Sequence, residues 1–212
     1  PATGAFTWDN ILQIKDYLPA LLRSVGYALS AAVICLVMGY PVAYYVSKRN
    51  PMTQKILYML IMLPMWMNFL LRTYAWMTLL GNNGIINYLL GLVGLGPYKL
   101  INTSGAVVLG MVYNYLPFMI LPLYSVMEKI DKSVIEAATD LGCNFGKVLV
   151  KVILPLSLPG ITSGITMVFV PCISTFYISQ KLGGGTFELL GDTIERQFQN
   201  VSTYNVGAAI SL

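Results

Sequence analysis

The residues of this chain that could take part in catalysis are few and widely scattered. Histidine is absent from all 212 residues, which excludes imidazole catalysis and His-ligated metal sites. The three cysteines, Cys35, Cys143 and Cys172, are far apart in the sequence and form no metal-binding motif. Gly142 and Lys147 have the wrong spacing for a phosphate-binding loop, and no Ser or Thr follows the lysine. The sequence therefore predicts no catalytic residue, no metal site and no cofactor bound by this chain.

Aromatic and amide side chains within long apolar runs are the main candidates for binding chemistry. They are Trp66, Asn68, Tyr74, Tyr113, Asn114 and Tyr177. Trp and Tyr are also typical of the belts at membrane interfaces, which is the commoner explanation for such residues. The amides fit a belt less well, because an amide in lipid needs an interhelical partner or a water-lined path. If the cargo is an organic cation, the aromatic faces can hold it by cation–π attraction, so we regard these residues as candidates for a translocation path.

Arg72 is the one charged residue well inside a predicted span. A charge at the bilayer centre costs about 2.5–3.5 kcal/mol on insertion scales. Counted from Ile56, Arg72 lies about 24 Å along the helix axis, which places it near the outer interface. Its side chain either extends to the outer headgroups or forms part of an outer gate. In a gate it contacts another protein at the outer face or one of the loop carboxylates Glu188, Asp192 and Glu195.

A charged segment between two apolar runs, residues 128–151, has the pattern of two helices joined at a glycine. Ser133 and Glu136 have the spacing of a capping box, so we expect a helix that begins at Ser133. Gly142 is expected to end it, because glycine adopts the left-handed conformation found at helix ends. A second helix is expected to begin near Phe145 and to continue into apolar sequence. We call residues 128–151 the elbow.

The composition is that of an integral membrane protein. Hydrophobic residues make up 56% of the chain and charged residues 10%, whereas soluble domains carry about 25% charged residues. Long apolar runs predict spanning helices, because backbone polar groups in lipid must be bonded within their own segment. The predicted spans are 21–46, 56–80, 104–127 and 152–175, with a fifth that starts near 203 and is incomplete. We therefore expect an all-α membrane domain over residues 1–212 that is truncated at both ends.

The distribution of basic residues predicts the orientation of the spans. The two short loops, 48–55 and 128–151, hold seven Lys and Arg residues, whereas the three longer segments on the other side hold four. Cytoplasmic loops carry an excess of Lys and Arg. Both short loops, and with them the elbow, are therefore predicted to face the cytoplasm.

The elbow also resembles a known family motif. Glu136, Ala137 and Ala138, followed by Gly142 and by the pair 154–155, are similar to the signature loop of membrane subunits of binding-protein-dependent ABC importers. Val152 stands where that family more often has Ile. The resemblance implies that the elbow is a coupling helix that docks on an ATPase subunit. The residues implied in this coupling are Ser133, Glu136, Ala137, Ala138, Gly142 and Lys147.

Three further stretches narrow the resemblance. Residues 39–47, 71–87 and 174–198 look like the B-type permease subunit of spermidine/putrescine ABC importers, and the similarity covers nearly the whole chain. Thr186 departs from the pattern, because a basic residue is expected after the three glycines. Related permeases for iron, thiosulfate or other organic cations share parts of these stretches, so the cargo remains open among them.

The resemblance implies a type I ABC importer permease fold with six helices in the full protein, in a bacterial cytoplasmic membrane. It implies four kinds of partner: a second permease subunit, two ATPase subunits that bind ATP and Mg²⁺, an extracytoplasmic binding protein and a polyamine substrate. Transport would then occur by alternating access. A secondary transporter is the alternative, but it would need ion-coupling groups or inverted repeats, and neither is evident in the sequence.

Overall fold

The computed structural model describes residues 17–199 and residue 208. Helices are the regular elements of this part of the chain. In chain order they are α1 (Leu18–Ser47), α2 (Pro51–Trp66), α3 (Phe69–Leu80), α4 (Ile85–Leu92), α5 (Ser104–Met127), α6 (Lys132–Asp140), α7 (Phe145–Val148), a π-helical segment (Leu149–Ile153), α8 (Leu154–Ser174), α9 (Tyr177–Gly183) and α10 (Leu190–Gln199).

Three helical stretches among the described residues are long and apolar enough to cross a membrane. They are Leu18–Ser47, Ser104–Met127 and Phe145–Ser174, the last of which contains α7, the π-helical segment and α8. These stretches confirm the predicted first, third and fourth spans. The fifth predicted span, which starts near 203, lies outside the described residues.

The second predicted span is not one continuous helix. It divides at residues 67–68: α2 and the following stretch Phe69–Leu92, which contains α3 and α4, together count as one broken span or a re-entrant loop. Met67 has an extended backbone, with φ −75° and ψ 144°, so the α2 hydrogen-bond pattern stops at this residue. Asn68 then accepts a hydrogen bond from the backbone N–H of Leu70 at 2.8 Å, as an N-terminal cap of α3 does. A single uninterrupted helix over 56–80 is therefore not formed, because Asn68 begins a new helix.

The chain divides into two units. The first comprises the described residues of Pro1–Leu29, Arg72–Met111 and Pro171–Leu212. Its apolar core is drawn mainly from α5 and α9 and includes the fully buried side chains of Val107, Met111, Ile178 and Leu182.

A buried hydroxyl joins α1 to the start of α10 within this first unit. Ser24 Oγ accepts a hydrogen bond from the backbone N–H of Leu190 at 2.7 Å and donates one to the Ala20 carbonyl. Leu190 opens α10, so its N–H has no partner inside the helix. The carboxylate of Asp192 accepts a hydrogen bond from the backbone N–H of Leu189, the residue before α10. Burial raises the pKa of this carboxyl. The start of α10 is thus bonded by two side chains.

The second unit comprises Ser30–Leu71 and Val112–Val170. Two glycines allow α8 to approach α5 closely in this unit. A Cβ at Gly160 would lie 3.0 Å from the Pro122 carbonyl oxygen, and one at Gly164 would lie 2.7 Å from Met119 Sδ. Close packing at small residues is typical of helices in membranes, where apolar burial alone does not drive association.

The Ser24 hydroxyl gives a testable contribution to stability. Ser24→Ala would leave the Leu190 N–H buried without its acceptor, and we expect a loss of about 1–3 kcal/mol. An SDS unfolding titration in mild detergent measures this loss as a lower midpoint. Thr162→Ala is the matched control, because Thr162 is exposed and its hydroxyl bonds to a carbonyl in its own helix. Equal midpoints for the two variants would contradict the role of Ser24.

Candidate functional site

The elbow begins with a helix capped by a carboxylate. α6 starts at Lys132, and Asp131 Oδ1 accepts a hydrogen bond from the backbone N–H of Ser133 at 3.0 Å. This bond lowers the pKa of Asp131. The predicted capping box is therefore wrong: Ser133 is the second residue of the helix, and Glu136 is too far along α6 to reach the cap. Asp is as good an N-terminal cap as Ser, and here the earlier residue takes the position.

Gly142 ends α6, as predicted. Its φ of +80° lies in the left-handed region. The backbone N–H of Gly142 donates to the Thr139 carbonyl at 2.9 Å, and that of Cys143 donates to the Ala138 carbonyl at 3.1 Å. These two bonds form a Schellman motif, which satisfies carbonyls that would otherwise lack partners at the helix end.

The second helix of the elbow begins at Phe145, also as predicted. Asn144 Oδ1 accepts a hydrogen bond from the backbone N–H of Lys147 at 3.0 Å and caps this helix. The helix then widens into the π-helical segment, where the Leu154 N–H donates to the Leu149 carbonyl. Pro155 follows. Because proline has no backbone N–H, it cannot donate the hydrogen bond that a regular α-helix would have at this position. The elbow is therefore continuous with the apolar helix α8.

The elbow exposes the residues that the family motif implicates in coupling. None of the α6 residues is buried. Ser133, Glu136 and Ala137 are exposed, Ala138 is half-buried, and the turn after α6 exposes 86% of Leu141. Phe145 is also largely exposed, at 64%. A helix–turn–helix with an apolar, uncovered face can bind another protein, because such a face gains stability when it is removed from water.

Two of the predicted path residues contact each other in the first unit. The Tyr74 and Tyr177 rings are edge to face with centroids 6.3 Å apart. The ammonium of Lys181 lies 5.7 Å from the Tyr74 centroid and 5.8 Å from the Tyr177 centroid. Both distances are within the range of cation–π attraction. Lys181 is not among the residues predicted for a path, although its spacing of four residues from Tyr177 on one helix is a sequence signal for this contact.

Arg72 is buried in the first unit. Its side chain is 8% exposed, so it does not extend to a lipid headgroup. Its Nε and Nη1 atoms have no hydrogen-bond partner in the part of the chain that the structure describes. The three candidate carboxylates bond elsewhere: Glu188 pairs with Arg196, Asp192 accepts from Ser179, and Glu195 accepts from Gln180 and Gln199. The predicted pairing of Arg72 with one of them is therefore not formed.

The other predicted path residues have different environments. Trp66 is 78% exposed at the end of α2. Asn68 caps α3, which accounts for an amide in this apolar stretch without an interhelical partner. Asn114 is buried in α5, whereas its neighbour Tyr113 is half-buried. Among the described residues, no group of three His, Cys, Asp or Glu side chains is placed to hold a metal ion.

Comparison with known proteins matches residues 35–212 to the family of binding-protein-dependent transport system inner membrane components. The spermidine/putrescine transport system permease protein PotB of Escherichia coli is 39% identical over 211 residues, which are 98% of this chain and 77% of that protein. PotB of Haemophilus influenzae is 40% identical over 198 residues, which are 92% of this chain and 69% of that protein.

A solved structure shares the fold. It is a bacterial alginate ABC transporter in complex with an alginate pentasaccharide-bound periplasmic protein. The likeness has a TM-score of 0.69 at 14% identity and covers 97% of this chain and 82% of that chain. The apolar helices and the family match lead to the same conclusion. The chain is a multi-pass membrane protein that belongs to the binding-protein-dependent transport system inner membrane component family.

Proposed function

We propose that this chain is the permease subunit of an ATP-driven importer and forms half of the translocation path for polyamines. The family match supports the role in transport. The relatives named for spermidine and putrescine transport, at 39% and 40% identity, support the cargo class. In this proposal the chain itself catalyses no reaction, and ATP with Mg²⁺ is bound by separate ATPase subunits.

The observation that carries the proposal is the uncovered elbow. The side chains of Asp131 and Asn144 cap the N-termini of its two helices, and its apolar residues Leu141 and Phe145 are exposed. An ATPase subunit seated on this surface would cover them. Because the elbow continues into α8, a displacement of its first helix would be transmitted to a membrane span.

The mechanism we propose is alternating access. ATP binding closes the ATPase pair, and the elbow transmits that movement to the spans. A switch of this kind requires that the elbow contact the two ATPase states with different free energies. The path opens outward beneath a loaded binding protein and opens inward after hydrolysis.

The proposed assembly contains a second permease subunit, two ATPase subunits and an extracytoplasmic binding protein. The family description supports dependence on a binding protein and a place in an inner membrane. The excess of Lys and Arg in residues 48–55 and in the elbow supports a cytoplasmic position for both. A bacterial cytoplasmic membrane is the corresponding location.

The aromatic pair in the first unit supports an organic cation as cargo. Tyr74 and Tyr177 already hold one ammonium group, that of Lys181, against their faces. A polyamine carries the same primary ammonium and could take its place. Such contacts contribute about 0.5–1 kcal/mol at exposed sites, which suits a cargo that must leave again.

Uptake by the complete transporter tests the cargo class. We expect labelled spermidine or putrescine to enter proteoliposomes that contain both permease subunits, the ATPase subunits and the binding protein, in an ATP-dependent manner. Iron and thiosulfate are the competing cargoes to include. Uptake of one of these without uptake of polyamines would support ATP-driven import by this chain but contradict polyamines as its cargo. Uptake driven by an ion gradient without ATP would indicate a secondary transporter instead.

Gly142 provides a test of coupling through the elbow. In Gly142→Ala the left-handed conformation costs about 1–2 kcal/mol, so the Schellman motif is weakened. We expect uptake to fall about tenfold while ATP hydrolysis continues, a loss within the usual range of coupling free energies. Gly146→Ala is the matched control, because the added methyl meets no close neighbour there. Equal uptake for the two variants would argue against the elbow as the transmitting element.

Tyr177 provides a test of the aromatic pair. Tyr177→Leu removes one aromatic face, and we expect the KM for polyamine uptake to rise about 2–5-fold. Tyr177→Phe keeps the face and should keep the KM. Tyr88→Leu, which removes an exposed tyrosine from α4 in the same unit, is the control. A KM that depends equally on Tyr88 would indicate a general effect of removing aromatic residues.

Arg72 provides a test of a functional charge in the first unit. Arg72→Leu removes a buried cation whose Nε and Nη1 lack partners, so insertion of the chain into the membrane should persist. We expect uptake to fall by about tenfold or more. The reason is that the variant cannot make a hydrogen bond that the Arg72 guanidinium would form during transport, and bonds to charged groups are among the stronger ones. Arg23→Leu removes an exposed charge from α1 and is the control. Normal uptake with Arg72→Leu would leave this arginine without a transport role.

A further inference from the structure

A cavity lies where α1 meets the second helix of the elbow, within the second unit. It has a volume of about 450 Å³. Its lining is mainly aromatic and apolar and includes two basic residues. The lining residues are Tyr40, Pro41, Tyr44, Tyr45, Lys48, Arg49, Phe145 and Leu149.

The two basic groups are held in place by aromatic rings. The Arg49 guanidinium lies 4.1 Å from the centroid of the Tyr45 ring, and the Lys48 ammonium lies 5.7 Å from that of Tyr44. The Tyr44 ring also contacts that of Phe145, with centroids 6.1 Å apart. The rings therefore position the two cations at the cavity and join α1 to the elbow.

The positive charge at this cavity is not balanced by the described part of the chain. Neither Lys48 nor Arg49 forms a salt bridge with a described residue. Burial, and then the nearby ammonium of Lys132, lower the pKa of Lys48. An anion bound beside Lys48 would offset the repulsion between the Lys48 and Lys132 ammonium groups.

We propose that this cavity binds the phosphate headgroup of an anionic phospholipid. Lys48 and Arg49 contact the phosphate, because paired cations at fixed positions bind phosphate through charge-assisted hydrogen bonds. The aromatic faces of Tyr40, Tyr44 and Phe145 contact the glycerol and the first acyl carbons.

Two observations favour a lipid over soluble phosphate as the source of this group. The cavity lies at the C-terminal end of α1, which is long and apolar enough to cross a membrane and ends at Ser47, and lipid headgroups lie at the ends of spanning helices. Basic pockets beside spanning helices on the cytoplasmic side are typical sites for anionic lipids. The mostly aromatic and apolar lining also matches a glycerol and acyl chain better than a fully hydrated anion.

The site would connect lipid composition with the elbow. Its lining comes from α1 on one side and from Phe145 and Leu149 on the other, so a bound lipid would contact both. This consequence rests on the proposed coupling role of the elbow. The binding itself does not, because it depends only on the cavity and its charges.

Lipid retention by the assembled transporter tests the binding. The complete complex is placed in nanodiscs of phosphatidylcholine with phosphatidylglycerol, extracted in mild detergent and weighed by native mass spectrometry. We expect a retained phosphatidylglycerol, and an affinity about 30-fold lower for Lys48→Gln/Arg49→Gln, from about 1 kcal/mol for each charge. The charge-preserving variant Lys48→Arg/Arg49→Lys should retain the lipid. Lys55→Gln, exposed in the first turns of α2 and outside the cavity, is the matched control.

The remaining outcomes separate the possible ligands. Inorganic phosphate that binds with the same dependence on Lys48 and Arg49 and displaces the lipid would support the anion site but overturn its assignment to lipid. Retention that is equal for Lys48→Gln/Arg49→Gln and Lys55→Gln would overturn the site. Lipid retention that appears only after the ATPase subunits are removed would also overturn the lipid site. In that case a carboxylate of an ATPase subunit would occupy the cavity in the assembled transporter. Unchanged assembly of the complex in each variant shows that the chain has folded.

Discussion

The elbow depends on the hydrogen bonds that close its helix ends. A short helix outside the membrane has little apolar burial to stabilise it, so its terminal N–H and C=O groups must find other partners. Asp131 and Asn144 supply acceptors at the two starts, and the left-handed Gly142 closes the end between them. Because these bonds are local, the elbow keeps its shape while most of its apolar surface stays uncovered and available to a partner.

The same physical constraint operates inside the membrane part, with a different result. Where a side chain offers the backbone an alternative acceptor, a helix stops and another begins, even in an apolar sequence. Asn68 does this between α2 and α3. Ser24, from a distant part of the chain, accepts the N–H that opens α10. Polar residues in apolar runs of this chain therefore need not line a path, since some of them bond the ends of helices.

Much of this architecture could be predicted from the sequence, because long apolar runs in lipid have to be helical. Gly142 was predictable as a helix end, since its role depends on its own backbone. The start of α6 was not, because Asp131 and Ser133 are equally good caps and only the structure shows which one is used. The contact between Tyr74 and Tyr177 and the burial of Arg72 depend on contacts between distant segments, which spacing in one sequence does not reveal. The family motif identifies the residues predicted to act in coupling, and the structure shows that most of them are exposed.

Site-specific photo-crosslinking from Leu141, the residue of the turn after α6 that is 86% exposed, tests whether the elbow binds an ATPase subunit. In the assembled transporter under native membrane conditions, we expect a crosslinked product of this chain with an ATPase subunit, in a yield that changes with bound nucleotide. A probe at Tyr88, on the exposed surface of α4 in the first unit, should give no such product. Labelling of only lipid or water from Leu141, with the ATPase subunits present and active, would contradict the account.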